Sequence, residues 1–180
     1  MIDLDGTPNK SRLGGNALVA TSMAVLKAAA ASSRLPLWRY LAGDDPVTLP
    51  VPQIQIFGGG AHAGTRIDIQ DLMVIPLGAS SFQESLIMTA EVYRCAGTRM
   101  RDRGLACGVA DEGGWWPMFD TNEQALETLV SAIEAAGYTP GTDVAIALDI
   151  AASMAEYPVR LFSTASSCLE GWKLLLVAIY

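Results

Sequence analysis

The residue pattern predicts an α/β fold, and three observations carry that prediction. Helix-length segments alternate with short β-rich runs, the order from which layered α/β domains are built. Val144–Ile150 is a nearly continuous apolar run, as expected of a strand covered on both faces. Val51–Phe57 and Ile67–Ile75 are β-rich and flank a glycine-dense turn, the pattern of a hairpin-like strand pair.

The elements follow in chain order. Asn9–Ala31 is alanine-rich, with Leu13, Ala17, Ala20, Ala24 and Ala28 on one face; this spacing predicts a helix, and small residues all round predict its burial between neighbours. Leu35–Leu41 reads as a short second helix, and Gly43-Asp44-Asp45-Pro46 as a linker. After the strand pair, Ser81-Phe82-Gln83-Glu84 is a capping box, with Glu84 expected to reach back to the cap residue. Phe82, Leu86, Ala90 and Tyr93 then hold helical spacing. Thr121-Asn122-Glu123-Gln124 is a second capping box, Ala125, Leu126, Leu129, Val130 and Ile133 line the helix it opens, and Gly137 stops it. Between these helices Gly108-Val-Ala-Asp-Glu-Gly-Gly-Trp-Trp-Pro117 favours neither helix nor strand.

Composition narrows the function classes. Of 180 residues, 51% are apolar and 17% charged, which describes a chain with a sizeable core rather than a disordered one. The net charge of −7 and the lack of any basic run oppose binding to nucleic acid or anionic lipid. Ala17–Ala31 is apolar but is interrupted by Lys27 and too short to span a bilayer, and Leu174–Ile179 is shorter still. Met1 is followed by neither a basic start nor an apolar core, so no targeting segment is expected. Cys95, Cys107 and Cys168 are scattered, without metal-ligand spacing or a disulfide framework, as in reduced, cytoplasmic proteins.

Chemistry is expected at the C-terminal ends of barrel-type strands and in the loops beyond them. Asp149 is the charge at the end of the Val144–Ile150 strand; it is either a group awaiting a cation or hydrogen-bonding partner, or a helix cap or turn acid. Asp71, beside Gln70, interrupts an apolar strand; the solvated face of an edge strand would account for one of these two polar residues. Glu112 stands where Gly113 and Gly114 permit a tight turn; either the tryptophans wall it from water and raise its pKa, as suits a general acid, or it belongs to a plain acidic turn. His62, the single histidine, lies in Gly58-Gly-Gly-Ala-His-Ala-Gly64, either on an active-site lid or on a surface loop. Those glycines lack the spacing and lysine of a phosphate-binding P-loop.

Five blocks together resemble enolase: Leu4-Asp-Gly-Thr-Pro-Asn-Lys-Ser-Arg-Leu-Gly14, Gly59-Gly-Ala-His-Ala63, Asp68-Ile-Gln-Asp71, Asp111-Glu-Gly-Gly114 and Ala147-Leu-Asp-Ile-Ala-Ala-Ser153. The resemblance covers Met1 to about Ser153. It implies the C-terminal helical part of the enolase N-terminal α+β domain over residues 1–47, then the first strands and helices of a TIM-like barrel over residues 48–180. It further implies Mg2+-dependent, reversible dehydration of 2-phosphoglycerate to phosphoenolpyruvate in glycolysis, a small phospho-acid substrate, a cytoplasmic location and a homodimer. By that likeness Glu112 is the acid that helps the hydroxide leave and Asp71 its partner carboxylate beside Gln70. His62 lies near the substrate, and Asp149 is the first magnesium ligand.

The pattern also departs from the family. Asp71 stands where enolases usually have glutamate, Gly58 replaces a usual asparagine, Ala110 a usual glycine, and Trp115-Trp116 is bulkier than the common sequence. A related phospho-enol substrate is therefore an alternative. The family places its lysine base, further metal carboxylates and phosphate-binding arginine on later strands, and none of Lys10, Lys27 and Lys173 follows a predicted strand. The chain is expected to be a partial barrel, and an incomplete, inactive remnant is the second reading.

Overall fold

The computed structural model describes residues 1–64 and 67–151, apart from the side chains of His62 and Cys107. Cys168, Lys173, Ser153 and the Gly171–Tyr180 segment lie outside the described residues. The chain divides into two compact units, Met1–Leu49 and Pro50–Tyr180.

The first unit holds α1 (Ile2–Asp5), α2 (Gly15–Ser32) and α3 (Leu37–Ala42). The long helix begins at Gly15 rather than near Asn9, because the intervening residues wrap around a carboxylate. Asp5 is buried and accepts from the Thr7 amide (3.0 Å), the Leu13 amide (2.7 Å) and the Thr7 hydroxyl. Those donors, the Thr7 hydroxyl foremost, hold its carboxyl below the usual range. The expected burial of α2 on all sides is not seen. Within that helix only Ala30 is buried, while Val19, Met23 and Val25 are exposed. The helix that packs along it, α3, has six residues and covers only a strip.

The second unit contains β1 (Ile54–Gly58), a 3-10 turn (Gly60–Ala63), β2 (Asp71–Ile75), α4 (Phe82–Asp102), β3 (Ala106–Val109), β4 (Trp115–Pro117), α5 (Asn122–Ala135) and β5 (Ala145–Asp149). The strands form one sheet in the order β3-β4-β1-β2-β5. The expected strand pair is present: β1 runs antiparallel to β2, with Gly58 opposite Asp71. Strand β5 is antiparallel to β2, with Asp71 opposite Asp149. Strand β4 runs parallel to β1 and antiparallel to β3. Two expectations are corrected here. First, β2 lies between two partners and Asp71 is 8% exposed, so no edge strand explains its polarity. Second, the two helices are not consecutive, because the segment expected to form neither helix nor strand supplies most of a hairpin, β3–β4, between them. Those strands have four and three residues, too few to show alternation, and the pairing of β3 with β4 and of β4 with β1 satisfies backbone groups that local pattern leaves unassigned.

The helix starts follow the capping chemistry with one difference. Ser81 accepts from the Glu84 amide and Thr121 from the Gln124 amide, each at 3.1 Å. The return bonds land one residue earlier than expected: Glu84 accepts from the Ser80 amide (2.7 Å) and Gln124 from the Asp120 amide (2.9 Å).

Period-two alternation sorts the strand residues between the two faces. Leu72, Val74, Val144, Ile146 and Leu148 join Met88, Val92, Ala96, Leu129 and Ile133 of α4 and α5 in the main core. Phe119 closes it, edge-on to Phe57 at 5.2 Å. The other face carries a smaller cluster, Met73, Ile75, Ala145 and Ala147. Asp71 and Asp149 share its parity, so both belong to the face turned away from the helices. No described helix is long and apolar enough to cross a membrane.

Candidate active site

Ladder register brings the acids together. Asp71 opens β2, Asp149 closes β5, and the two are directly opposed. Gly58, the last residue of β1, is paired with Asp71, so one end of the sheet collects the end of β1, the start of β2 and the end of β5. The loop before β4 reaches the same end, since a Cβ on Gly58 would fall 2.5 Å from the Ala110 Cβ. That loop carries Glu112, closed by bonds from the Ala110 amide to the Gly114 carbonyl (2.8 Å) and from the Gly113 amide to the Ala110 carbonyl (3.0 Å).

Gln55 on β1 joins these parts. Its Nε2 donates to Asp71 Oδ1 and to Glu112 Oε2 (3.1 Å), and its Oε1 accepts from the Gly114 amide (2.8 Å). Sequence reasoning missed Gln55. The available signal was a polar side chain within the otherwise apolar Ile54-Gln55-Ile56-Phe57 run.

The electrostatics of the site are read at Asp71. Burial pushes the Asp71 carboxyl up from an ordinary 3.8 to about 6, the Gln55 amide opposes that rise, and the neighbouring charges of Glu112 and Asp149 add to it. Glu112 itself is exposed, so of the two readings of its surroundings the tryptophan wall is not the one seen. Trp115 stacks on Tyr93 at 4.8 Å and its Nε1 donates to the Tyr93 carbonyl (2.8 Å). Trp116 Nε1 donates to the Ala63 carbonyl (2.9 Å). An indole has one N–H to satisfy, and both find backbone oxygens away from Glu112. Their effect is positional: Trp116 ties down the turn that carries His62, and Trp115 ties β4 to α4. Tyr93 adds a second tie, its hydroxyl donating to the Gly113 carbonyl (2.9 Å).

His62 lies within the 3-10 turn that follows β1 at the acid-bearing end of the sheet. Gln70 immediately precedes β2, and its carbonyl accepts from the Gly59 amide (2.7 Å), closing the base of that loop. Asn122 holds the same loop from α5, its Oδ1 accepting from the Asp68 amide (3.0 Å).

Asp149 is half-buried, and its Oδ1 accepts from the Ala151 amide (2.9 Å), the bond of a turn acid. Among the described residues no group of three or more His, Cys, Asp or Glu side chains is arranged to hold a metal ion. Magnesium takes about six oxygens in near-octahedral geometry. The described side chains therefore do not make a magnesium site by themselves, and Asp149 fits at most as one ligand of a larger set.

Comparison with known proteins places the chain in a family. Residues 46–158 match the family model described as "Enolase, C-terminal TIM barrel domain", and residues 1–41 match the "Enolase, N-terminal domain" model. The barrel match spans more than half of the chain and includes the Asp71, Glu112 and Asp149 positions and Gln55, and on that match the chain belongs to the enolase family.

Proposed function

We propose that this chain contributes the acid half of an enolase-type hydro-lyase site, acting in the reversible dehydration of 2-phosphoglycerate to phosphoenolpyruvate. The observation that carries this reading is the joining of Glu112 and Asp71 through one amide, at the end of the sheet where Asp149 terminates β5. Hydroxide is a poor leaving group, so a positioned acid must protonate it as the C–O bond breaks. Glu112, exposed on its loop, is the group that meets the substrate. Asp71, buried behind it, is its partner. His62 and Gln70 belong to the loop that contacts the phospho-acid. In this reading Asp149 is one magnesium ligand, and the bound ion would stabilise charge developing on the substrate carboxylate. Cytoplasmic location, a glycolytic role and a homodimer belong to the same proposal.

The base is a separate matter. Residues 50–151 contain no lysine, so a lysine base of the kind the family resemblance implies would come from outside them. This favours a second reading, in which the described acid cluster turns nothing over unaided.

One assay separates the two. The chain is incubated with 2-phosphoglycerate and Mg2+, alone and with a fragment supplying the later strands of an enolase barrel, while phosphoenolpyruvate absorbance is followed. Turnover is expected only in the mixture, and Glu112→Gln should lower kcat there by about 100-fold or more. A soluble, reassembled mixture that makes no phosphoenolpyruvate would refute the enolase reading.

A further inference from the structure

Gln55 occupies a place that packing alone does not require. It is half-buried on β1, the strand that pairs with both β2 and β4. A primary amide has two protons to donate and one oxygen to accept with. Here one proton goes to Asp71 Oδ1 and the other to Glu112 Oε2 (3.1 Å), while the oxygen accepts from the Gly114 amide (2.8 Å). Every function of the amide is thus directed at the two acids or at the loop that carries one of them. A Cβ on residue 114 would fall 2.5 Å from the Gln55 oxygen, so glycine there is a condition of the contact.

We propose that Gln55 is the positioning residue of the acid pair, transferring the rigidity of β1 to the Glu112 loop and fixing Glu112 beside Asp71. Two carboxylates that approach each other without a donor between them repel. The amide places a donor on each and holds them at a set spacing. Asp71 is one methylene shorter than the glutamate usual at its position, and the Gln55 amide spans from it to Glu112. The proposal rests on the enolase reading only for what the spacing is used for; the tether itself stands on geometry.

The test uses the full chain. Gln55→Met keeps the length of the side chain and removes its donors and acceptor, and Gln55→Asn keeps the amide but withdraws it by one methylene. Amide hydrogen exchange is measured at Gly114, with Met73 and Ala147 in the β2–β5 ladder as internal standards. Gly114 is expected to exchange about five- to tenfold faster in both variants, the loss of roughly one hydrogen bond, with the ladder amides unchanged. In the reassembled dehydration assay Gln55→Met should lower kcat while KM for 2-phosphoglycerate moves less than about twofold, since the tether sets the acid rather than the binding contacts. Unchanged exchange at Gly114 in both variants, or a kcat equal to wild type, would overturn the proposal. If the wild-type mixture shows no turnover, the enolase reading fails while the exchange measurement still decides the tether.

Discussion

Replacing Asp71 by asparagine tests the electrostatics of the candidate site without any substrate. The Asp71 carboxyl is raised from 3.8 to about 6, chiefly by burial and then by Glu112 and Asp149, against the favourable Gln55 bond. The folded chain therefore holds this proton more tightly than the unfolded chain does. Its contribution to stability is fully present below about pH 4 and is lost as pH rises through about 6. In full, the difference corresponds to about 3 kcal/mol, at about 1.4 kcal/mol for each tenfold in proton affinity. Glu112 is exposed, so solvent screens part of the repulsion, and we expect about 1–2 kcal/mol to survive. Asparagine has nearly the shape of the protonated acid and cannot ionise. Urea unfolding of both chains from pH 4 to pH 8, with a chelator present, should show Asp71→Asn matching wild type near pH 4 and exceeding it by about 1–2 kcal/mol at pH 8. A difference that stays flat across this range, or wild type becoming the more stable form as pH rises, would refute the assignment of a raised pKa to Asp71.

Two further outcomes follow from contacts away from the acids. Removing either helix cap, by Ser81→Ala or Thr121→Ala, should cost about 1 kcal/mol in urea unfolding, since each hydroxyl answers one helix amide at 3.1 Å. Gly58→Ala should destabilise the sheet by roughly 1–3 kcal/mol, because its Cβ would fall 2.5 Å from the Ala110 Cβ. Adding Ala110→Gly should restore most of that loss, a coupling read from a double-mutant cycle.

What could be read in the sequence depended on range. Strand β5 was legible because its apolar run is continuous, and a short continuous run of that kind belongs to a strand covered on both faces. The caps were legible because their partners lie three residues away. The acids could be named because each breaks an apolar or glycine-rich run. Their meeting could not be read locally: Gln55 lies 57 residues from Glu112 and 16 from Asp71, and no periodicity links such positions. The tryptophans show the same limit. Their apolar bulk predicts packing somewhere, but only the fold decides that the two indole N–H groups face Tyr93 and Ala63 rather than the acid three residues before the first of them. Strands β3 and β4 escaped because pairing, rather than propensity, makes three or four residues a strand.

The departures from the usual enolase pattern, taken one at a time, suggest a site losing its parts. The packing connects them instead. Residues 58 and 110 face each other, and a Cβ at 58 would overlap the Ala110 methyl, 2.5 Å away. The methyl at 110 is therefore accommodated only by glycine at 58. The bulkier Trp115 has a similar counterpart: Gly97 of α4 lies against its ring, where a Cβ would come within 2.3 Å, and Tyr93 and Arg101 stack on the indole, at 4.8 Å and 5.6 Å. Bulk at 110 and 115 is thus matched by glycine at 58 and 97. Cores accept substitutions that conserve total volume and penalise those that do not. Both pairs fit, and they fit around the loop that Gln55 and Tyr93 hold in place. The residues beneath the loop are thus closely fitted to one another, and the acid the loop carries is joined to Asp71 through Gln55.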